Sequence, residues 1–369
     1  MTDERMARMG LASVHDAGDA RLHALVGREG AVEVWDHLRS GHGNTAMSRR
    51  AAMVDLSDVV KRTQAVGARF VIPGDQEWPV SVEDLSWSDP VGGFGGAPLG
   101  LWVIGKNLAE SSPSVAVVGS RASTAYGEHV AADWGAGLTE RGWTVVSGGA
   151  YGIDACAHRG AIAGGGLTIA VMAGGLAQLY PPGNTALLRK VCEVGTVISE
   201  FAPDCPPSRA RFLVRNRLIA ALSQGTLIVE GGMRSGAQNT VSWALSMQRV
   251  VMATPGPITS ALSVTPHRLI RSGEAILVSS VDEVISALGP ADTSIPDYPL
   301  QQPTLFDTLT PTQQAVYESM PGRGGISMDE LCVLTGETAL TLLAVLAQLT
   351  QASLITEAAP GTWKLTHRS

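Results

Sequence analysis

Cysteine is scarce in this sequence of 369 residues: Cys156, Cys192, Cys205 and Cys332 lie far apart and no C-x-x-C pair is present. That spacing excludes a zinc knuckle and a disulfide framework and leaves ordinary reduced thiols, with no metal expected. Charge is sparse too, at 17% Asp, Glu, Lys and Arg against 45% hydrophobic residues, the reverse of a disordered chain, so a sizeable folded core is expected. No long apolar run is uninterrupted. The longest charge-free stretch, Ala161 to Leu188, is broken by Gly164, Gly165, Gly166, Gly174, Gly175, Pro181 and Pro182, and reads as strand and loop instead of a membrane span. Met1 to Gly10 mixes acids and bases, without the apolar stretch of a signal peptide or a lipidation motif, so a cytoplasmic location and no membrane partner are expected. Nothing repeats at a period of about 20–50 residues, which excludes a solenoid.

The length points to two or three domains. Residues 1–85 read as a small helical domain, because Leu22, Leu25 and Val26, then Val32, Trp35 and Leu38, then Met53, Leu56, Val59 and Val60 recur at helical spacing. Residues 86–288 change character. Short β-branched runs alternate with Ala-rich helical stretches, the pattern of an α/β fold with a parallel sheet. The strands are placed at 115–118, 144–146, 168–172, 196–199, 226–229, 250–253 and 276–278, with 101–104 joining them. A helix over 125–141 puts Tyr126, Val130, Trp134 and Leu138 on one stripe. A Gly-rich insert, Val91 to Gly100, reads as a mobile surface loop. Residues 289–304 are a Pro-rich linker. In 305–369, helices near 311–320, from 327 and near 339–350, followed by strands at 354–357 and 362–365, give the order of a winged-helix-like domain. Its third helix has only uncharged side chains from Ala339 to Gln348, which makes it a poor DNA reader and favours a protein contact.

Candidate chemistry sits where strands end. Gly119-Ser120-Arg121 follows the first parallel strand and precedes a helix, so backbone amides and one guanidinium can meet an anion. Ser147-Gly148-Gly149-Ala150-Tyr151-Gly152-Ile153-Asp154 follows the second, where glycines allow close approach and Asp154 can cap a helix or bond a ligand hydroxyl. Glu230-Gly231-Gly232, with Ser235 and Gly236 beyond it, forms a third such turn. No G-x-G-x-x-G string follows either of the first two strands and no G-x-x-x-x-G-K-[ST] loop exists, so neither a nicotinamide cofactor nor a nucleoside triphosphate is indicated.

The net charge of −7 does not decide against nucleic acid, because phosphate is bound by a local basic face. Ser208 to Arg217 carries Arg209, Arg211, Arg215 and Arg217 around Phe212, a combination suited to single-stranded nucleic acid. On a helix Arg211 and Arg215 share a face, while Arg209 and Arg217 lie elsewhere. The competing reading is a solvated helix held by salt bridges. His158 follows Cys156 too closely to face it on a helix and reads as structural. Glu230 and Asp154 make an acid–base pair only if the fold brings two strand ends together.

Taken together, VAVVGSR at 115–121, VVSGGAYGIDACAHRGA at 145–161, TIAVMAGGLAQLYPPGN at 168–184, SEF at 199–201, RFLVRNRLIAALS at 211–223 and VEGGMRSGAQNT at 229–240 resemble the DNA-processing protein A (DprA/Smf) family. Ile72-Pro73-Gly74-Asp75, Trp78-Pro79 and Asp89-Pro90 extend the resemblance upstream, to cover about residues 70–285. It implies an extended Rossmann-like, doubly wound, mostly parallel sheet, and a first domain of the SAM or helix-hairpin-helix kind. It further implies a non-enzymatic binder of single-stranded DNA that protects incoming DNA, displaces single-strand binding protein and loads the RecA recombinase during natural transformation, acting as a homodimer. By resemblance, DNA contacts fall on Gly119, Ser120, Arg121, Arg209, Arg211, Arg215, Asn216 and Arg217, with Phe212 stacking on a base. Ser147, Gly148, Gly152 and Asp154 shape the pocket, and the region around Val241 to Gln248 is a candidate dimer surface. The sequence departs from the family at Gly149, where Leu is usual, at Leu213 for Pro, at Ala237-Gln238 for Ser-Leu, and at 260–267, which lacks glycines.

Two other readings stand beside this one. A nucleotide phosphoribohydrolase-type enzyme would share the Gly-rich strand ends, but it needs a PGGxGTxxE-type loop that Glu230-Gly231-Gly232 only partly echoes. The other is a protein-interaction scaffold that binds partners through its helical and winged-helix ends and has lost DNA binding through the pocket departures.

Overall fold

A computed structural model describes residues 3–40, 45–111, 113–233, 235–289, 309–321 and 324–366, in two compact units, 1–295 and 296–369. The proline-rich stretch lies, beyond Gly289, outside the described residues.

The first unit opens with five helices: α1 (Glu4–Val14), α2 (Ala20–Glu29), α3 (Ala31–Arg39), α4 (Ala46–Met53) and α5 (Leu56–Ala65). Asp3, Asp19, Thr45 and Asp55 start four of them by accepting hydrogen bonds from first-turn amides, which satisfies donors that the helix itself cannot pair. α1 was not apparent from the sequence, yet it contributes Ala7, Leu11 and Val14 to a core shared with Val34 and Trp35. Met9 and Val59 face the other way, toward Phe70 and Trp102 of the sheet.

Nine strands build that sheet. They are β1 (Arg69–Val71), β2 (Leu101–Gly105), β3 (Ser114–Val118), β4 (Thr144–Ser147), β5 (Thr168–Met172), β6 (Thr196–Ser199), β7 (Gly225–Ile228), β8 (Val250–Ala253) and β9 (Ile276–Leu277). Their order is β1-β2-β6-β5-β4-β3-β7-β8-β9; β1 and β2 are antiparallel additions to a parallel core running from β6 to β9. β1 lies in a stretch read as helical.

Helices α6 (Ala125–Glu140), α7 (Ile153–Ala163), α8 (Thr185–Val194), α9 (Arg209–Ala221), α10 (Gly236–Ser246), α11 (Val264–Arg271) and α12 (Val281–Leu288) connect or follow the parallel strands. Alternation along each strand assigns them to faces. Val115, Val117, Val145, Leu227 and Met252 pack against α6, α7 and α12, whereas Ala116, Val118, Val146, Ile228 and Val251 pack against α9, α10 and α11. The sheet is thus a doubly wound, Rossmann-like arrangement whose strand order reverses between β3 and β7.

One expectation is corrected. The Gly-rich segment 91–100 is not a mobile surface loop. Its second half is buried, with Ala97 and Leu99 inside core clusters, and the Gly95 amide donates to the Gly18 carbonyl at 2.9 Å. Glycine here permits close packing between α2 and the sheet edge. The region around Val241 to Gln248 buries Val241, Trp243 and Ala244 in its own core and leaves Leu245 and Met247 partly buried.

The second unit contains α13 (Pro311–Glu318), β10 (Ile326–Ser327), α14 (Met328–Thr335), α15 (Ala339–Gln351), β11 (Ile355–Ala359) and β12 (Thr362–Leu365), with strand order β10-β12-β11. Thr310 and Ser327 open α13 and α14 with capping boxes. No single described helix is long and apolar enough to cross a membrane; α14 and α15 qualify only as a pair, and the chain turns by 105° between them.

Candidate nucleic-acid interface

The carboxyl ends of β3, β4 and β7 meet at the point where the strand order reverses, and a cleft of about 810 Å³ opens there. Its floor begins with the turn after β3. Thr124 caps α6 by accepting from the Gly127 amide, and the Glu230 carboxylate, just beyond β7, accepts from the Thr124 amide at 2.9 Å and its hydroxyl at 2.5 Å. The Ser120 hydroxyl oxygen accepts from the Ala122 amide at 3.2 Å, and the Ser120 carbonyl accepts from the Ile153 amide. Gly152 has φ of +73° and lies so near that a Cβ there would come within 2.3 Å of the Ser120 carbonyl oxygen, so only glycine fits.

The turn after β4 carries the buried charge. Asp154 accepts from the Gly148 amide at 3.2 Å and the Ala150 amide at 3.4 Å. Burial pushes its carboxyl above the usual carboxylate range, and the Arg215 guanidinium pulls it back. Arg215 reaches across from α9 and donates through Nη1 to the Gly148 carbonyl at 2.7 Å and to the Val171 carbonyl. A Cβ on Gly148 would sit 2.5 Å from that nitrogen. Burial lowers the Arg215 guanidinium to about 10, which still leaves it charged at neutral pH. The cleft therefore has a fixed cation in its wall.

Above it, α9 begins at Ser208, whose hydroxyl accepts from the Arg211 amide. Phe212 is the centre of an aromatic and cationic cluster: the Tyr180 ring lies 5.7 Å away at 59°, and the guanidinium carbons of Arg121 and Arg215 lie 4.8 and 5.9 Å from its ring centre. Arg121 makes no hydrogen bond or ion pair with any described residue. On the opposite wall the Asn216 amide donates to the Gly236 carbonyl at 3.3 Å and to Asn239 at 3.2 Å, tying α9 to α10.

Of the residues singled out from sequence, Gly119, Ser120, Arg121, Asp154, Arg209, Phe212, Arg215, Asn216, Ser235 and Gly236 line this cleft. Five do not. Ser147 is buried and donates to the Val117 carbonyl at 2.7 Å, while Gly148 and Gly152 lie behind the wall as close-packing positions. Arg211 leaves the face it was expected to share with Arg215, because the Pro206 carbonyl at 2.6 Å and Asp16 at 3.0 Å capture its guanidinium in a neighbouring groove. Arg217 is corrected most firmly. It lies two residues, or about 200° of helix, past Arg215 and so faces the interior, 0% exposed, donating to both Glu200 oxygens at 2.5 and 2.6 Å. An arginine without exposed surface cannot touch a strand.

The acid–base pair weighed from sequence is not assembled either. Asp154 lines the cleft, but Glu230 does not, and its oxygens are engaged by Thr124. His158 is structural as expected: fully buried, its Nδ1 is 2.7 Å from the Thr168 hydroxyl, which donates to the Val145 carbonyl. Among the described residues no group of three His, Cys, Asp or Glu is placed to hold a metal ion. Sequence reasoning missed Tyr180, whose ring joins Phe212 from a different loop. The aromatic side chain in an otherwise charge-free loop was the only available signal for Tyr180.

Residues 69–289 match the family described as DNA recombination-mediator protein A. A Mycobacterium tuberculosis protein named as a DNA processing protein DprA is 42% identical over 367 residues, covering 96% of this chain and 92% of that one. The chain belongs to the DNA recombination-mediator protein A family. A Bacillus subtilis DNA processing protein DprA is 35% identical over 175 residues, covering 47% of this chain and 59% of its own. The X-ray structure of DprA from Streptococcus pneumoniae superposes with a TM-score of 0.65 at 30% identity, over 78% of this chain and 98% of that one. A Helicobacter pylori DprA structure, described for its single-stranded DNA binding mode, gives a TM-score of 0.52 at 25% identity, over 60% of this chain and 97% of that one. The segment matched by the DNA recombination-mediator protein A family runs from β1 through α12, so it takes in the whole nine-stranded sheet and its cleft and leaves α1–α5 and the second unit outside. This is a DNA-processing protein.

Proposed function

We propose that the cleft at the β3–β7 reversal binds single-stranded DNA. The observation that carries this is the Phe212 ring, flanked by Tyr180 and by the guanidinium groups of Arg121 and Arg215, directly above a turn of backbone at a strand-to-helix junction. An unpaired base offers a free π-face to such a ring, and its phosphates find Arg121 and Arg209 at the rim; a base inside a duplex has both faces covered. The single-stranded DNA binding described for the Helicobacter pylori relative supports the same reading.

In the cell this activity is that of a recombination mediator. The protein protects incoming single strands, displaces single-strand binding protein and loads the RecA recombinase during natural transformation, in the cytoplasm and without catalysis of its own. It acts as a homodimer, for which the outer edge of β9, with Ile276 and Leu277 half-exposed, offers an unpaired strand. Residues 1–85 carry the five helices and lend β1 to the sheet, 86–288 form the rest of the DNA-binding core, 289–304 the linker and 305–369 a winged-helix-like domain.

The test is a titration of the full chain against fluorescent single- and double-stranded oligonucleotides at several salt concentrations, with Arg121→Ala alongside. Salt-sensitive, single-strand-selective binding that the substitution weakens is the expected result. Equal affinity for duplex, or binding indifferent to Arg121, would refute the assignment of this cleft.

A further inference from the structure

The second unit buries Val316, Leu331, Leu342, Leu346 and Leu349 in its own core and still carries a separate apolar surface facing outward. Val333 and Leu334, on the last turn of α14, are 82% and 63% exposed, and Leu340 and Leu343 on α15 are 81% and 54% exposed. Ala344 and Ala347 continue from Leu340 at intervals of four and seven, so the stripe runs along α15 with small residues that permit close approach by another helix. No charged side chain occurs in the 13 residues of α15.

The charges nearest these side chains along the chain have one sign. Asp329 is one turn before Val333 on the same side of α14, and Glu337 stands in the short connection between the helices. Glu330 is already engaged, since its carboxylate accepts from the Ser327 amide and hydroxyl in the capping box. Among its described residues the unit has Glu318, Asp329, Glu330, Glu337 and Glu357 against Lys364 as the one base. An acidic rim repels a phosphate backbone. It also disfavours a second copy of the same face, because an isologous contact about a two-fold axis brings each patch, rim included, against itself.

We propose that the outer face of α14 and α15 docks an amphipathic helix of a partner protein, one with an aliphatic stripe bordered by Lys or Arg. The aliphatic stripe covers Val333, Leu334, Leu340 and Leu343, and the flanking bases meet Asp329 and Glu337. This docking is independent of the cleft in the first unit.

The probes are two labelled synthetic amphipathic helices of about eighteen residues, one built of Leu and Lys and one of Leu and Glu, titrated against the full chain by fluorescence anisotropy. The Leu/Lys peptide is expected to bind and the Leu/Glu peptide not to. Leu340→Glu/Leu343→Glu should weaken Leu/Lys binding about tenfold even though it adds two negative charges, while single-stranded DNA binding and the helical circular dichroism signal stay unchanged. The pair Asp329→Lys/Glu337→Lys, whose carboxylates make no hydrogen bond or ion pair with any described residue, should weaken the Leu/Lys peptide and admit the Leu/Glu one. Tighter Leu/Lys binding by the Leu340→Glu/Leu343→Glu chain would show charge attraction alone and overturn the proposal. So would equal binding of both peptides, or concentration-dependent self-association in sedimentation that this variant abolishes, which would make the occupant a second copy.

Discussion

Replacing Arg121 with alanine separates the proposed phosphate contact from everything else in the cleft. Its guanidinium rests 4.8 Å from the Phe212 ring and pairs with no described carboxylate or carbonyl, so truncation leaves no buried partner stranded and the fold should be indifferent to it. For single strands the log–log salt slope is about −0.7 per neutralised phosphate, so one lost contact weakens binding about fivefold at about 0.1 M salt, about 1 kcal/mol. The same relation requires the gap to close with salt: between about 50 and 200 mM the ratio of wild-type to variant affinity should fall by about 2.6-fold. Anisotropy titrations with a labelled oligonucleotide at four or five salt concentrations measure both quantities. Parallel wild-type and variant lines, displaced but equal in slope, would refute the reasoning, because they would mean that Arg121 contributes packing on Phe212 and not counterion release.

Three further outcomes follow from the same geometry. Phe212→Ala should cost about 1–3 kcal/mol per stacked base with almost no change in salt slope, and a changed slope would show the ring to be a bystander to a charge effect. Arg217→Met strands the buried Glu200 carboxylate and should lower unfolding free energy by about 3–5 kcal/mol in urea, while adding Glu200→Gln to it recovers part; an unchanged midpoint would count against the buried pair. His158 titrates at about 3 in the folded protein against 6.5 for a free imidazole, because burial disfavours its cation. A depressed histidine is neutral in the fold, so its stabilising contribution is complete above the unfolded value and disappears as pH falls toward the folded one. By pH 5 the loss should reach about 2 kcal/mol, and His158→Asn should remove that share of the acid dependence; identical pH profiles would contradict it.

The parallel strands were legible because each is a short β-branched run between Ala-rich helical stretches, and both faces of such a sheet are covered. β1 was not, since three residues beginning with Arg69 show no periodicity and depend for their conformation on pairing with Leu101 to Val103. The segment 91–100 misled for a related reason: glycines announce freedom in a sequence, while the burial of Ala97 and Leu99 is decided by α2 and by the sheet. At the site, the Gly119 turn and Phe212 could be found because strand, turn and helix follow one another along the chain. The four arginines of α9 could not be sorted. Which one faces the cleft, which is taken by Asp16 and which by Glu200 depends on partners supplied by the connection between α1 and α2 and by the exit of β6. Tyr180 was hidden in the same way, its ring meeting Phe212 only once the loop after β5 is in place.

The clasp between Glu230 and Thr124 joins groups 106 positions apart in the chain. Closing so long a loop is entropically costly until β3 and β7 pair, so the Glu230 hold on the turn after β3 forms late in folding. A polypeptide that has not yet reached residue 230 can make the Ser120–Ile153 bond and the Thr124 cap, but lacks the carboxylate that holds Thr124 from the far side of the turn. The cleft proposed above to bind single strands is therefore complete only once the fifth parallel strand has paired.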